Sequence, residues 1–330
     1  LTTVNWNATK CYTGYGEGDP IFENCPNLKT VNIGTNVTTI PSHTFENCKN
    51  LVRVNIGNQV EDIGEFAFSN CENLTEITIP NNATQISYGA FRNCKNLTTI
   101  ALPKNLSTIE AYAFYACTGL ESITITQNVK AIDVTAFEDC SGLTTVNWNA
   151  TSFEPAKGVD TSLFAKCTNL TTVNIGDSVT SIPPCAFKNC ENLTTVNMGS
   201  QVENIGYSAF ENCKSLTEIT IPNKVTKIAI DTFQNCENLE TVNIGNNVET
   251  IETYAFENCR NLTKIEIPNS VTEIGSFAFN GCAQLQSVTL GKGVKTIGQR
   301  IFLNCSNLTS IDYLGTKAEW NKIEMKDSGL

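Results

Sequence analysis

Residues 51–73 read LVRVNIGNQVEDIGEFAFSNCEN and residues 74–96 read LTEITIPNNATQISYGAFRNCKN, two strings that match position for position. Leu51, Val54 and Ile56 in the first correspond to Leu74, Ile77 and Ile79 in the second, and Ala67, Phe68 and Cys71 correspond to Ala90, Phe91 and Cys94. Working outward from this pair, Leu-x-x-(Val/Ile)-x-(apolar) opens fourteen units, at Leu1, Leu28, Leu51, Leu74, Leu97, Leu120, Leu143, Leu170, Leu193, Leu216, Leu239, Leu262, Leu285 and Leu308. A fixed period of this length is the signature of stacked supersecondary units. The spacing is 23 residues except after Leu1 and Leu143, where it is 27. Those two leucines are 142 residues apart, both open LTTVNWNAT, and Glu76 recurs as Glu218 at the same offset, so a block of six repeats has been duplicated. The expected organisation is one array over 1–313, with duplicated blocks at 1–142 and 143–284, and a C-terminal capping segment at 314–330.

Within one unit, Leu51, Val54 and Ile56 alternate at the end with polar residues, which is the period of a short strand with one buried face. Arg53 and Asn55 then point outward. A Gly or Pro follows, as at Gly57, Pro80, Gly176 and Pro268, and turns the chain. Val60, Ile63, Ala67, Phe68 and Cys71 return to the core, and the Ala-Phe-x-x-Cys spacing predicts a short helical or 3₁₀ turn with Phe and Cys on its inner face. One unit cannot bury its own apolar face, whereas stacked units close a continuous core. The fold class is therefore a leucine-rich-repeat solenoid, right-handed, with a parallel sheet on its concave face and short turns on its convex face. At about 4.8 Å per strand the sheet would run on the order of 65 Å.

These residues carry a resemblance. Leu-x-x-Ile-x-Ile-Pro, then Val-x-x-Ile, then Ala-Phe-x-x-Cys-x-x-Leu resembles the BspA-like class of leucine-rich repeats over nearly the whole chain. Gly315-Thr316-Lys317-Ala318-Glu319-Trp320-Asn321-Lys322-Ile323 resembles the segment that follows such arrays in bacterial members, with Trp320 and Ile323 placed to cover the last repeat. The resemblance implies a secreted or surface-attached protein that adheres to host or microbial partners. It gives no ligand, because one scaffold serves many.

Composition narrows the partners. The net charge of −11 and the absence of a basic stripe argue against nucleic acid and anionic membrane, whose binding needs clustered Lys and Arg. No apolar run approaches the roughly 18 residues of a membrane helix, and no signal peptide is visible. Since the chain begins at the first position of a repeat, a processed or truncated piece of a longer protein is expected. The expected state is a monomer. Hydrophobic residues make up 41% and charged residues 17%, so the surface rests on Asn, Thr and Ser.

Thirteen of the fifteen cysteines, Cys25 to Cys305, share one repeat position, Cys11 and Cys185 being the others. A metal site needs ligands converging on a point, whereas this ladder runs along an axis and the single histidine, His43, cannot serve several sites. No metal or other cofactor is expected. Disulfides would suit an extracellular setting, but side chains of one ladder point the same way and fill the role of small buried apolar groups. Buried thiols are the favoured reading, which implies an anoxic habitat, with Cys11 and Cys185 as the candidate exceptions. Asn recurs immediately before the ladder Cys and again before the Leu, and its amides are expected to satisfy backbone groups of the turns. The repeated Asn-Leu-Thr strings match a glycosylation sequon only because the repeat generates them.

No nucleophile elbow, phosphate loop or dinucleotide fingerprint appears, so the chain is not expected to be an enzyme. Carboxylates on adjacent strands are the one catalytic arrangement left open. The candidate binding residues are the charged and polar strand positions Arg53, Asn55, Glu76, Thr78, Glu218, Thr220, Lys264 and Glu266. To these are added Tyr12, Tyr15 and Phe153 in the long-repeat segments Asn7–Ile21 and Asn149–Leu163, since loops leaving a rigid scaffold often carry function. Simple tolerance of four extra residues is the competing account of those loops. The expected role is a non-catalytic module binding an extracellular protein or glycan through the concave face. The rivals are a structural spacer and an accessory module of an extracellular hydrolase.

Overall fold

The computed structural model describes residues 1–7, 21–151 and 162–326. The chain divides into two compact units, one of Leu1–Val159 with Leu163–Leu170 and one of Asp160–Ser162 with Thr171–Leu330. Each is a stack of coils in which strands pair in parallel with their counterparts in neighbouring coils, and almost no helix is present.

In the first unit, strands Thr3–Trp6, Thr30–Ile33, Arg53–Asn55, Glu76–Thr78 and Thr99–Ala101 form one parallel ladder in repeat register, for example Val31 beside Val54. A second ladder of two-residue strands follows the Gly/Pro corner, as in Thr39–Ile40 beside Asp62–Ile63. In the second unit, Lys264–Ile267 pairs with Ser287–Leu290, which pairs with Ser310–Tyr313. Its second ladder runs from Ser181–Ile182 through Thr296–Ile297 to Glu324–Met325. The corner glycine is demanded by stacking: a Cβ on Gly57 would lie 2.4 Å from the Gly34 carbonyl oxygen of the preceding coil.

The core is a set of one-residue columns. Leu51, Val60, Ile63, Ala67, Phe68 and Cys71 are fully buried, and the same positions are buried in coil after coil. Phenylalanine rings stack along each unit at 5.2–5.6 Å from Phe45 to Phe164 and at 5.3–5.9 Å from Phe187 to Phe302. Each buried ring stabilises by about 1.5–3 kcal/mol through area alone.

The turns before the ladder Cys differ from the 3₁₀ turns expected. Single i→i+3 bonds form, as from Cys48 N–H to the Phe45 carbonyl at 3.2 Å, but every second N–H donates to the next coil instead: His43 to Glu65, Phe45 to Ala67 and Asn47 to Ser69, at 2.8–2.9 Å. Two residues in most coils sit in the left-handed region, for example His43 at φ 59° and Asn47 at φ 59°. Left-handed residues break a right-handed helix and turn alternate amides along the stack. This explains the Asn before the Cys, since Asn tolerates that region best after Gly. Its amide does not serve the turn backbone as expected but bonds its counterpart, Asn70 Nδ2 to Asn47 Oδ1 at 2.9 Å and Asn93 Nδ2 to Asn70 Oδ1 at 2.8 Å. The Asn before the Leu forms a parallel ladder, Asn73 to Asn50 at 3.2 Å and Asn96 to Asn73 at 3.1 Å, while Asn50 itself donates to the backbone carbonyl of Pro26.

The ladder cysteines complete the turn. In most coils the Sγ–H donates to the Phe carbonyl of the preceding coil, Cys71 to Phe45 at 3.3 Å, Cys94 to Phe68 at 3.2 Å and Cys117 to Phe91 at 3.1 Å, whereas Cys190 bonds the Ser162 side chain. Burial pushes these thiols up, Cys48 to about 11 and Cys190 to about 12. Cys185 is buried in its turn, and Cys11 lies outside the described residues. At the C-terminal end, a one-turn helix Lys317–Trp320 carries a capping box between Thr316 and Glu319. Trp320 packs on Tyr313 with ring centroids 5.4 Å apart, and Ile323 is half-buried.

Candidate functional site

Because the strands are in register, equivalent positions stack along each outward face. Arg53 lies beside Thr30 and Glu76, and Glu76 beside Thr99. Asn55 is committed to the sheet, donating to Asn32 Oδ1 at 2.6 Å, while Asn32 donates to Asn5. Thr78 stands beside Ala101. In the second unit, Glu218 and Thr220 lie beside Thr241 and Asn243, and Thr220 accepts from Asn243 at 3.2 Å. Asn55 and Thr220 are therefore rungs of internal ladders. Tyr12, Tyr15 and Phe153 lie outside the described residues.

Lys264 and Glu266 stand apart. They line a groove of about 510 Å³ on the strand face of the second unit, within the 300–1,000 Å³ range of ligand sites. The walls come from three neighbouring strands: Thr241 and Asn243, Lys264 and Glu266, and Thr289, with Glu240 leading into the first. Ile244, Ile267 and Pro268 supply apolar surface, and Leu314, 58% exposed, closes the side after the last strand. Lys264, Glu240 and Glu266 form no ion pair among the described residues, unlike Lys214 and Glu191 at 2.8 Å or Lys224 and Glu203 at 3.3 Å. Ser270, also in the lining, has a buried hydroxyl with no hydrogen-bond partner. The site thus combines two carboxylates, one ammonium, an unsatisfied hydroxyl and an apolar floor. That set offers both hydrogen-bonding and apolar surface to a polar ligand. No group of three or more His, Cys, Asp and Glu side chains placed to hold a metal occurs among the described residues, and no described helix is long and apolar enough to cross a membrane.

Charge reading found Lys264 and Glu266 but missed Glu240, Ile244, Ser270 and Leu314. Glu240 could have been found from its position, one residue before the strand and one coil away from Lys264. Leu314 could not, since it lies beyond the last repeat motif.

A second cluster was missed altogether. On the turn side of the first unit, His43 stacks on Phe66 at 5.1 Å, and Phe66, Tyr88, Tyr112 and Tyr115 follow in edge-on contacts at 5.1–5.5 Å. Arg92 lies over Tyr112 and Tyr115, its guanidinium carbon 5.9 and 5.4 Å from their centroids. All six are half-buried. The signal was present as aromatic residues flanking Ala-Phe in consecutive coils, a run longer than the Tyr254–Phe277 pair at the same positions of the second unit. Nearby, Glu72 is held below the usual carboxylate range, chiefly by its hydrogen bond with Lys49 and further by the charge of Lys95, at 3.3 and 3.6 Å from the coils on either side.

In-register parallel coils, inward Leu–Val–Ile columns and an outward polar strand face define a leucine-rich-repeat solenoid. The sequence profile of the BspA type leucine rich repeat region, in six copies, matches residues 18–144, 157–262 and 230–324. The chain belongs to the BspA-type leucine-rich-repeat family. Among solved structures it is similar to a leucine rich cell surface protein from Faecalibacterium prausnitzii A2-165, with 28% identity, 100% of this chain and 92% of that one covered, and a TM-score of 0.43. A leucine-rich repeat protein from Bacteroides ovatus ATCC 8483 is 24% identical, with 95% and 92% covered and a TM-score of 0.47. No curated protein matches the chain by sequence.

Proposed function

We propose that this protein is a non-catalytic recognition module of a secreted or cell-surface protein, and that it engages an extracellular protein or glycan through its strand face, centred on the groove of Lys264, Glu266 and Glu240. The observation that carries this reading is the groove itself. Elsewhere on the strand faces, Asn32 and Asn55 satisfy one another, and Arg53, Glu76 and Glu218, though without ion pairs among the described residues, are not in the lining of this groove. Here three charged groups and the Ser270 hydroxyl are left without protein partners beside exposed apolar surface. Charged groups arranged without internal partners confer specificity on an incoming surface and set its orientation. The family membership and the printed description of the Faecalibacterium relative as a cell surface protein support the location.

The test is an array of extracellular-matrix proteins and glycans probed with the wild-type chain and with the Lys264→Glu/Glu266→Lys double variant. The expected result is at least one ligand bound by the wild type and lost, by roughly tenfold or more, in the charge-swapped chain. Equal binding by both chains to every ligand would remove the groove from the reading, and no binding by either would favour the spacer.

A further inference from the structure

The aromatic cluster on the turn side of the first unit lies outside the groove and has no part in the function above. The fold places a left-handed residue at this point in most coils, among them Tyr254 and Phe277 in the second unit, both at φ 58°. Phe66 and Tyr112 occupy it here, at φ 54° and 56°, and what marks this cluster is that both rings meet Tyr88 of the coil between them. Between them Gly89, φ 58°, makes room: a Cβ there would meet the Phe66 ring at 2.7 Å.

Arg92 is the second observation. Its guanidinium is sandwiched in the cluster over Tyr112 and Tyr115, yet it forms no ion pair among the described residues, and its Nε is buried with no hydrogen-bond partner. The carboxylates nearest in the stack are already engaged. Glu110 accepts the Tyr88 N–H at 2.8 Å, Glu138 pairs with Lys166 at 2.9 Å, and Glu46 bonds His43. A guanidinium beside aromatic rings and without a carboxylate partner is left to pair with a planar anion, which its two terminal nitrogens bind bidentately. The cation–π site is filled by the protein's own arginine, so a cationic ligand has no place there.

We infer that this cluster is a binding site for short acidic saccharides. A ring carboxylate pairs with Arg92, and the C–H faces of adjoining pyranose rings pack on Phe66, Tyr88 and Tyr112. The tyrosine hydroxyls of Tyr88, Tyr112 and Tyr115 make no hydrogen bond to described residues and meet the sugar hydroxyls. Successive rings 5.1–5.5 Å apart on successive coils suit a linear oligomer over a single small molecule. With a chain net charge of −11, long polyanions are repelled at range, so short-range contacts carry the binding and short oligomers are the fitting probes.

The experiment is isothermal titration of the full chain with oligogalacturonate, oligoalginate and hyaluronan oligomers, with the fully methyl-esterified oligogalacturonate as a neutral isostere and oligoglutamate as an acidic peptide. Binding to at least one uronate is expected, weakened tenfold or more by esterification, by Arg92→Gln and by Tyr112→Ala, and by less in Arg92→Lys, which keeps the charge and loses the fork. Far-UV circular dichroism and the thermal midpoint of each variant establish that it folds. Lys264→Glu/Glu266→Lys leaves this binding unchanged, which separates the site from the groove. The inference is overturned if no uronate binds at millimolar concentration, if the ester binds as well as the acid, if Arg92→Gln in a folded chain binds as the wild type does, or if oligoglutamate binds as tightly as the uronates.

Discussion

Raising the pH from about 8 to about 9.5 under reducing conditions should destabilise the first unit by several kcal/mol, because thiols ordinarily titrate near 8.5. Cys71, Cys94, Cys117 and Cys140 are fully buried, and burial pushes each thiol well above the ordinary range, with repulsion from the neighbouring rung adding to it. The native state holds these protons while the unfolded chain gives them up. A folded pKa raised above the unfolded one contributes stability that is complete below about 8.5 and is lost as pH climbs toward the folded value. One pH unit above 8.5 each thiol costs about 1.4 kcal/mol, so four cost about 5–6 kcal/mol, a large part of the 5–15 kcal/mol typical of a domain. Tyr and Lys titrate nearer 10, which keeps the window clean. The assay is urea unfolding of the full chain at several pH values, followed by circular dichroism and fitted with nearest-neighbour terms, since repeat arrays need not be two-state. The fourfold Cys→Ala chain is the control; it starts less stable, and its pH slope should be smaller by four protons. A midpoint that stays flat across this window, or a slope in the alanine chain equal to that of the wild type, would refute the argument; the residual slope belongs to the other buried thiols, Cys48 and Cys190 among them.

Three further outcomes are expected. Asn70→Ala should destabilise by about 2–4 kcal/mol, combining the left-handed penalty with two lost amide bonds, and Asn70→Gly by less; Asn73→Ala, which loses only its ladder bonds, should cost about 1–2 kcal/mol. Equal melting shifts for Asn70→Ala and Asn70→Gly would show that backbone conformation does not select the Asn. Phe114→Ala removes a ring stacked on both Phe91 and Phe137 and should cost about 3–5 kcal/mol by chemical denaturation. Gly57→Ala places a methyl against the Gly34 carbonyl and should cost about 1–3 kcal/mol; an unchanged thermal midpoint would mean the coils can part without penalty.

The apolar columns were legible in the sequence because burial imposes the same demand on every coil. Leu51, Val54, Ile63, Phe68 and Cys71 could be placed from spacing alone, since a polar residue at any of them would open the core. The turn conformation was less legible. Asn before Cys looked like a hydrogen-bonding choice, whereas its conserving physics is a backbone dihedral, with the amide ladder added to it. The other left-handed place shows why pattern reading fails there: His43, Phe66, Gly89, Tyr112, Cys185 and Asp231 all hold it, so no residue preference marks it and only the fold reveals that the position is left-handed. The groove was half legible. Lys264 and Glu266 stood out as charges in a Thr/Asn face, but Leu314 reaches the groove only through the path of the chain after Tyr313.

The ladders also sharpen what an unpartnered group means in this fold. A repeat offers every polar side chain an identical neighbour about 4.8 Å away on each side, so Asn pairs with Asn and even a thiol finds a carbonyl. Internal satisfaction is the default, and it makes a polar surface a weak indicator of binding. Departure from the default is informative: Ser270 keeps a buried hydroxyl without a partner, and Arg92 a buried Nε. Each lies where the repeat identity breaks, Ser270 between Asn247 and Gly293 of the neighbouring coils, and Arg92 among Ser69, Tyr115 and Glu138. A substitution that restores the ladder at either place, such as Arg92→Ser, therefore removes a binding feature while leaving the stacking intact, and this separation of stability from recognition is what a repeat scaffold permits.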